Sequence, residues 1–335
     1  MFMDLKGKTA LVTGATGLIG SNLVIRLLNE SVKVIANARS YERLASVFSH
    51  HLLNKNLLFL IQDVSNVIII DEKIDVIFHA ASPQENEIIY NKPLEVIFPN
   101  VIGTINCFEL IKLQMRKFNI KTRIVIFSSV TVYKNFTDKD IEVSESDTSI
   151  AELLGSPSAA YSESKRMSEV IANAYFKQYS IDAVIGRLST VYGDAVLKTN
   201  TAFFSFLNAV VSGNNITLFN PKIAKRDNIY IDDAVDGLLK MVCYGRAGEV
   251  YNISSGKMKG NFASVYDIAD KIVFIGNNIR RQKGLGHIKL ITPKDFDGAN
   301  QFGGVIMNNS KLTSLGWKLE SSLDEGIEST LKRVF

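Results

Sequence analysis

The sequence predicts an α/β fold: a doubly wound parallel sheet over its first half, with a smaller, mixed α/β domain after it. Three observations carry this expectation. Short β-rich runs alternate with segments of helical periodicity from Thr9 to Gly186. A glycine-rich turn, Gly14-Ala15-Thr16-Gly17-Leu18-Ile19-Gly20, joins the first run to the first helical segment. Beyond Gly193 the alternation weakens, which places the change of domain.

Thr9 to Thr13 reads as a strand, and Leu23, Val24, Leu27 and Leu28 recur at helical spacing after the glycines. Glycine lets the backbone turn tightly and approach a pyrophosphate, which then sits at the amide-rich N-terminus of the helix. Gly14, Thr16, Gly17, Leu18, Ile19 and Gly20 are therefore expected to hold a dinucleotide. The alternative is a turn that only packs helix on strand. Val32 to Ala36 is a second strand, followed by Asn37-Ala38-Arg39-Ser40. A carboxylate there would bond both ribose hydroxyls and repel a 2′-phosphate. Arg39 and Ser40 suit that phosphate instead, so NADP is expected over NAD, the alternative being an Arg39 that is only solvated. Leu57 to Ile61 is a third strand, closed by Asp63 and Val64 on the cofactor side, with Asp63 a candidate acceptor for the adenine amino group. Asp75 to His79 is a fourth, ending in Ala80, Ala81 and Ser82, small residues over which a cofactor can lie flat. His79 closes a buried strand and is read as structural.

Pro93 to Lys117 reads as a long helix, interrupted or restarted around Pro99, that carries Asn100, Gly103 and Thr104. Arg123 to Phe127 is the fifth strand and delivers Ser128, Ser129, Val130 and Thr131 to the end of the sheet, where such folds bind ligands. A polar loop, residues 135–158, then leads into the helix of Tyr161 and Lys165. That spacing puts phenol and ammonium one turn apart on one helix face. At about 4 Å and an effective dielectric of about 20, the charge is worth roughly 4 kcal/mol to a phenolate, enough to lower its pKa by up to about three units. The pair is suited to proton transfer, or else is a chance pairing on a solvated face. Ile181 to Gly186 is a sixth strand that runs on to Arg187, Thr190 and Tyr192.

Later helices are expected at Ala202 to Val211, Ala234 to Cys243, Val265 to Phe274 and Ser321 to Leu331, with strands at Arg226 to Tyr230 and Glu249 to Ile253. Trp317 is read as a packing anchor. The expected division is a dinucleotide-binding domain over residues 1–188 and a substrate domain over residues 189–335, with segments near 225–255 returning to the first.

Composition narrows the partners. A chain of 335 residues with 46% hydrophobic content has a globular core. Its formal charge of +4 includes no basic run or basic and aromatic stripe, so no nucleic-acid partner is expected. Cys107 and Cys243 lie in apolar helical settings without metal-ligand spacing, as reduced core residues of a cytoplasmic protein. The first eight residues lack an apolar signal region and no stretch reaches eighteen uninterrupted apolar residues, so no membrane partner is expected.

Taken together these residues resemble the extended short-chain dehydrogenases/reductases, and within them the nucleotide-sugar epimerases and dehydratases, over nearly the whole chain. The resemblance rests on the Gly14 to Gly20 turn, Asp63, His79-Ala80-Ala81, Asn100 with Gly103-Thr104, Ser129, Tyr161 with Lys165 and Arg187 with Val191-Tyr192-Gly193. Farther on it includes Arg226-Asp227 with Asp232-Asp233, Tyr251-Asn252 and Leu315-Gly316-Trp317. It implies a Rossmann domain that carries NAD(P) and a C-terminal domain that clasps a nucleoside-diphosphate sugar, with hydride transfer usually at carbon 4. By it Tyr161 is the acid/base, Lys165 holds the nicotinamide ribose and lowers the phenol, and Ser129 bonds the reacting oxygen. Asn100 joins the cofactor site. Ser82, Ser129, Val130, Thr131, Thr190, Asn200 and Arg226 would face the substrate, Arg226 gripping the diphosphate. A homodimer paired through two helices, one of them that of Tyr161, is implied as well.

In the 4,6-dehydratases an Asp and a Glu directly follow the catalytic hydroxyl residue. Val130 and Thr131 stand there, and neither is a competent acid, so dehydration is disfavoured. The run Ser128 to Tyr133 is similar to the 4-epimerases, and a 4-epimerase is the expected activity. Arg39 leaves open an NADPH-dependent 4-keto-6-deoxy-sugar reductase. A carbonyl reductase similar to the dihydroflavonol reductases and a non-catalytic NADP-binding sensor also stay open. Retention of Ser129, Tyr161 and Lys165 speaks against the sensor.

Overall fold

The expected alternation is realised through β1 (Thr9–Thr13), α1 (Leu18–Asn29), β2 (Lys33–Ala38), α2 (Tyr41–Val47), β3 (Leu57–Ile61), β4 (Val76–His79), α3 (Asn86–Asn91), α4 (Pro93–Phe118) and β5 (Arg123–Ser129). After them come β6 (Ile141–Val143), α5 (Ala159–Tyr179), β7 (Ala183–Leu188), β8 (Thr190–Tyr192), α6 (Ala202–Ser212), β9 (Ile216–Thr217), β10 (Arg226–Tyr230), α7 (Ile231–Tyr244) and β11 (Val250–Ile253). The chain closes with β12 (Phe262–Ala263), α8 (Val265–Gln282), β13 (Leu290–Ile291), β14 (Val305–Met307), α9 (Ser310–Thr313) and α10 (Leu323–Val334). The structure is a computed structural model that describes residues 3–133, 139–147, 152–194, 201–219, 225–258, 260–293 and 303–335.

The main sheet has seven parallel strands in the order β11-β7-β5-β4-β1-β2-β3. Alternate side chains enter opposite layers. Ala10 and Val12 of β1 pack with Leu23, Val24 and Leu27 of α1 and Leu238 of α7, whereas Leu11 joins Phe108 and Ile111 of α4 and Ala172 of α5. Each such buried aliphatic contributes roughly 1.5–3 kcal/mol, and continuous apolar runs in β4 and β5 reflect burial on both faces. Strand order reverses between β1 and β4, which opens the crevice where doubly wound sheets bind ligands.

Two expectations are corrected. Helix α4 runs unbroken through Pro99. The missing amide costs one helical hydrogen bond, and burial of Val96, Asn100, Gly103 and Cys107 on the neighbouring turns outweighs it. Helix α8 extends to Gln282, well past Phe274, because Ser264 and Asp267 form a capping box at its start and its buried residues continue to Ile279 and Arg280. Helix α4 is long and apolar enough to cross a membrane by length and composition, but 44% of its most apolar window is buried within the protein. Its outer face exposes Leu94, Phe98, Ile102 and Ile105.

The remaining strands form three small sheets, β12-β10-β8, β13-β9 and β14-β6, and β11 returns the chain to the edge of the main sheet beside β7. Trp317 is buried, and its indole donates to the Asp233 carbonyl at 3.1 Å, fastening the turn before α10 to α7.

Candidate active site

The glycine turn lies at the reversal point. Gly14 has φ +63°, and a Cβ on it would stand 2.8 Å from the Ala81 backbone, so the turn after β1 and the loop after β4 touch directly. A Cβ on Gly20 would lie 2.3 Å from the Gly14 carbonyl, which is why the helix can start so close to the strand. Gly17 differs. It is exposed, and a Cβ there would meet only the Gly14 carbonyl at 3.4 Å, so the room beside it belongs to no part of the protein among the described residues. Gly17 is also the N-cap of α1, with no side-chain cap and no acidic residue in the first turn. The amides of Leu18, Ile19 and Gly20 therefore present an anion cradle, with Thr16 half-buried beside it.

His79 is satisfied where it stands. Its Nδ1 is 2.9 Å from Thr13 Oγ1, which in turn accepts from the Ala81 amide, and its ring donates to the Pro99 carbonyl. Burial, with the nearby Lys165, holds it neutral, its pKa pushed down to about 3. It fixes the Ala80-Ala81-Ser82 loop as a structural residue.

At the adenosine end Arg39 is exposed just beyond β2. The Ser40 hydroxyl caps α2 by accepting from the Arg43 amide, and it donates to Glu42 at 2.7 Å. Serine is thus engaged in the cap and has drawn a carboxylate close, a neighbour that the sequence reading did not weigh. Asp63 is half-buried and accepts from the Ser65 amide at 2.8 Å, and Val64 is buried against Gly103 of α4.

The catalytic candidates converge on the end of β5. Tyr161 and Lys165 both lie on the buried face of α5. The Tyr161 hydroxyl is hydrogen-bonded to the Ser129 side chain and to Gln84, at 3.0 Å from Gln84 Nε2. Lys165 Nζ donates to the Phe127 carbonyl at 2.7 Å. Burial pushes its pKa down to about 7, and burial raises that of Tyr161 against the hydrogen bonds from Gln84 and Ser129. This corrects the expectation that Lys165 lowers the phenol. Its ammonium is 5.9 Å from the ring centre and tied to the sheet, so with these protein groups alone Tyr161 is a phenol at neutral pH.

Two residues, Glu169 and Gln84, went unnoticed in the sequence. Glu169, one turn beyond Lys165, forms a bidentate buried pair with Arg187 at 2.8 and 2.9 Å and accepts from Ser128. Burial works against the Arg187 charge, and Glu169 more than restores it, raising the guanidinium pKa. Arg187 also lies over the Tyr133 ring at 4.6 Å, and the Tyr133 hydroxyl donates to Asn252. So α5 is fastened to Phe127, Ser128 and Ser129 through Lys165, Glu169 and Tyr161. Asn100 donates to Ser164 Oγ at 2.9 Å, joining α4 to the catalytic helix. Gln84 is the second unforeseen contact. A glutamine in a loop carries no motif, whereas an acidic residue at helical spacing from Lys165 was a visible signal for Glu169.

On the substrate side, Ser82 Oγ and Thr131 Oγ1 are buried atoms without a hydrogen-bond partner among the described residues. Ser162 Oγ, Asp182 Oδ1 and Ser189 Oγ share this state, so it does not by itself mark a ligand. Val130 and Thr131 form a 3-10 turn capped by Ser129. Thr190 is half-buried on β8 and paired with Asn228 of β10, while Arg226 is exposed at the start of β10. Asp227 is pinned by the Ser255 and Gly256 amides, the Ser255 hydroxyl and the Met307 amide, and burial lifts its pKa to about 6. Asn200 lies outside the described residues. Cys107 and Cys243 are free thiols, and no cluster of metal-ligating side chains occurs among the described residues.

Comparison with known proteins agrees with the fold. A protein of Methanocaldococcus jannaschii, Uncharacterized protein MJ1055, is 30% identical over 268 residues, covering 76% of this chain and 77% of its own length. The structure of dTDP-glucose 4,6-dehydratase from Bacillus anthracis in complex with NAD superposes with a TM-score of 0.75 at 22% identity, covering 97% of this chain and 96% of that one. UDP-glucuronic acid 4-epimerase from Bacillus cereus, also in complex with NAD, gives 0.71 at 25% identity over 97% and 96% of the two chains. The sequence profile of the NAD dependent epimerase/dehydratase family matches residues 10–254, and the chain belongs to this family of extended short-chain dehydrogenase/reductase enzymes.

Proposed function

We propose that the protein is a nucleotide-sugar 4-epimerase. The observation that carries this is the meeting of Ser129, Tyr161 and Lys165 at the end of β5, with Val130 and Thr131 in the next two positions. Bound nicotinamide dinucleotide supplies the hydride acceptor for carbon 4 and the hydride for the return step. As the phenolate, a form that the positive charge of an oxidised nicotinamide would favour, Tyr161 would take the proton of the 4-hydroxyl while that carbon loses its hydride and the carbonyl forms, then give the proton back to the 4-oxygen in the reverse direction. Ser129, already bonded to Tyr161, holds that oxygen. Lys165 lies one turn away, where a ribose hydroxyl would replace part of its solvation. Ser82 and Thr131 supply unused hydroxyls to the sugar, and Arg226 a guanidinium to the diphosphate. Beyond Ser129 no acid stands where elimination of water would need one, since Val130 cannot move a proton and Thr131 is a poor acid.

The cradle at Gly17 fits a pyrophosphate, and Arg39 favours the phosphorylated dinucleotide. Arg39 is also the observation that favours a second reading, an NADPH-dependent reductase of a 4-keto-6-deoxy sugar. The exposed stripe Leu94, Phe98, Ile102 and Ile105 of α4, beside Met167 and Val170 of α5, supports a homodimer paired through these helices. Two free cysteines accord with a cytoplasmic setting.

The test is incubation with UDP- and dTDP-hexoses, with products followed by NMR and bound dinucleotide by native mass spectrometry. The expected result is the 4-epimer without net cofactor consumption. Net NADPH oxidation on a 4-keto sugar would favour the reductase, and a 4-keto-6-deoxy product from a nucleotide-glucose would refute both.

A further inference from the structure

Gln84 sits on the loop between β4 and α3, and its amide faces the buried Tyr161 hydroxyl with both heads. Nε2 is 3.0 Å from the phenolic oxygen and Oε1 is 3.2 Å from it. A primary amide is the uncharged side-chain head that carries a donor and an acceptor side by side. Against a phenol it accepts the proton, and against a phenolate it donates one hydrogen bond without any net charge. Exchange of its two heads leaves this unchanged.

Among the other surroundings of Tyr161, the Ser129 hydroxyl can also donate or accept, and the rest cannot serve both forms. Ile88 and Ile89 of α3 and Val96 of α4 are apolar. Ser129 bonds the hydroxyl from the end of β5. The ammonium of Lys165, from the same helix, stands 5.9 Å from the ring centre, and its proton is directed to the Phe127 carbonyl. Of the two hydrogen bonds that oppose the effect of burial on this phenol, that from Gln84 is the larger.

We propose that Gln84 is a positioning residue for proton transfer at Tyr161, holding the phenolic oxygen in one place in both its protonated and its ionised form. This rests on the reading of Tyr161 as the acid/base. During turnover the O–H bond of Tyr161 forms as that of the sugar breaks, and Gln84 changes from donor to acceptor by a small rotation while no proton leaves the pair.

The test titrates the phenol itself. A fluorotyrosine at position 161 of the full chain reports its own ionisation by fluorine NMR, and fluorination brings that ionisation into a pH range the fold tolerates. The expected order of apparent pKa is Gln84→Glu highest, then Gln84→Met, then wild type, then Gln84→Lys. Loss of the donor in Gln84→Met is expected to raise the value by about one pH unit. A packing role alone would move all the variants in one direction. Titrations that coincide within about 0.2 pH units, or a Gln84→Lys value above wild type, overturn the proposal. Should Gln84→Glu fail to fold, the Met and Lys variants still decide the sign. Turnover of Tyr161→Phe separates the two claims. Near-normal turnover removes the acid/base reading and this proposal with it, whereas lost turnover with a flat titration series removes Gln84 alone.

Discussion

Lys165 donates to the carbonyl of Phe127 at 2.7 Å, and its ammonium stands 5.9 Å from the centre of the Tyr161 ring. The sheet, not the phenol, holds the charge. A buried lysine with one backbone acceptor is poorly solvated, and its pKa falls from its ordinary 10.5 to about 7.

That relation predicts opposed effects on stability and activity. Between the folded and unfolded values the unfolded chain binds the extra proton, so stability is expected to rise with pH from about 7 to about 10.5 through this group. Lys165→Met should remove that slope and stabilise the fold most below about pH 7, by roughly 1–4 kcal/mol, while abolishing turnover. Urea unfolding at several pH values checks the slope, and an unchanged pH dependence would place the lysine in a better-solvated site.

Arg39 predicts the cofactor. With its guanidinium exposed beyond β2, NADPH should bind more tightly than NADH, and Arg39→Ala should reduce that preference by about tenfold. Fluorescence titration of both nucleotides measures it. Glu42, drawn toward β2 by Ser40, works in the opposite sense. Glu42→Gln should therefore widen the preference, and NADH tighter by tenfold in the wild type would reverse the assignment.

The buried pair of Glu169 and Arg187 predicts a strong coupling. Removing one partner leaves an uncompensated charge, so Glu169→Leu or Arg187→Met alone should destabilise by about 3–5 kcal/mol. The double variant should cost much less than the sum of the two. Additive losses in a double-mutant cycle by chemical denaturation would show that the two side chains act separately.

What could be read in advance was local. Thr9–Thr13 and Leu57–Ile61 were legible to the residue because each is a β-rich run with clear punctuation on its flanks. Strands β6 and β14 were not, since each has three residues and they find one another only through the folded chain. In the site, Ser129, Tyr161 and Lys165 were legible as a pattern, but their partners were not. Lys165 bonds a backbone carbonyl, which no side-chain pattern marks, and Gln84 reaches Tyr161 across 77 positions of sequence. The direction of the phenol's pKa shift was missed for the same reason, because it depends on burial rather than on spacing.

Gly17 and Gly20 should separate fold from binding. The Gly17 backbone, at φ −77°, accepts any residue, and a Cβ there meets only the Gly14 carbonyl at 3.4 Å. Gly17→Ala should cost only about 0.5–1.5 kcal/mol of stability, because alanine is a poorer N-cap than glycine but displaces no backbone. It should nonetheless lose dinucleotide affinity by tenfold or more, since the methyl fills the space a pyrophosphate needs. A Cβ on Gly20 would lie 2.3 Å from the Gly14 carbonyl, so Gly20→Ala must shift backbone and should lower the melting temperature even without nucleotide. Thermal melts and dinucleotide titrations on both variants check this contrast. Full affinity in Gly17→Ala would mean that the turn only packs α1 on β1, and the cradle would have to be sought elsewhere along the β1 and β4 crevice.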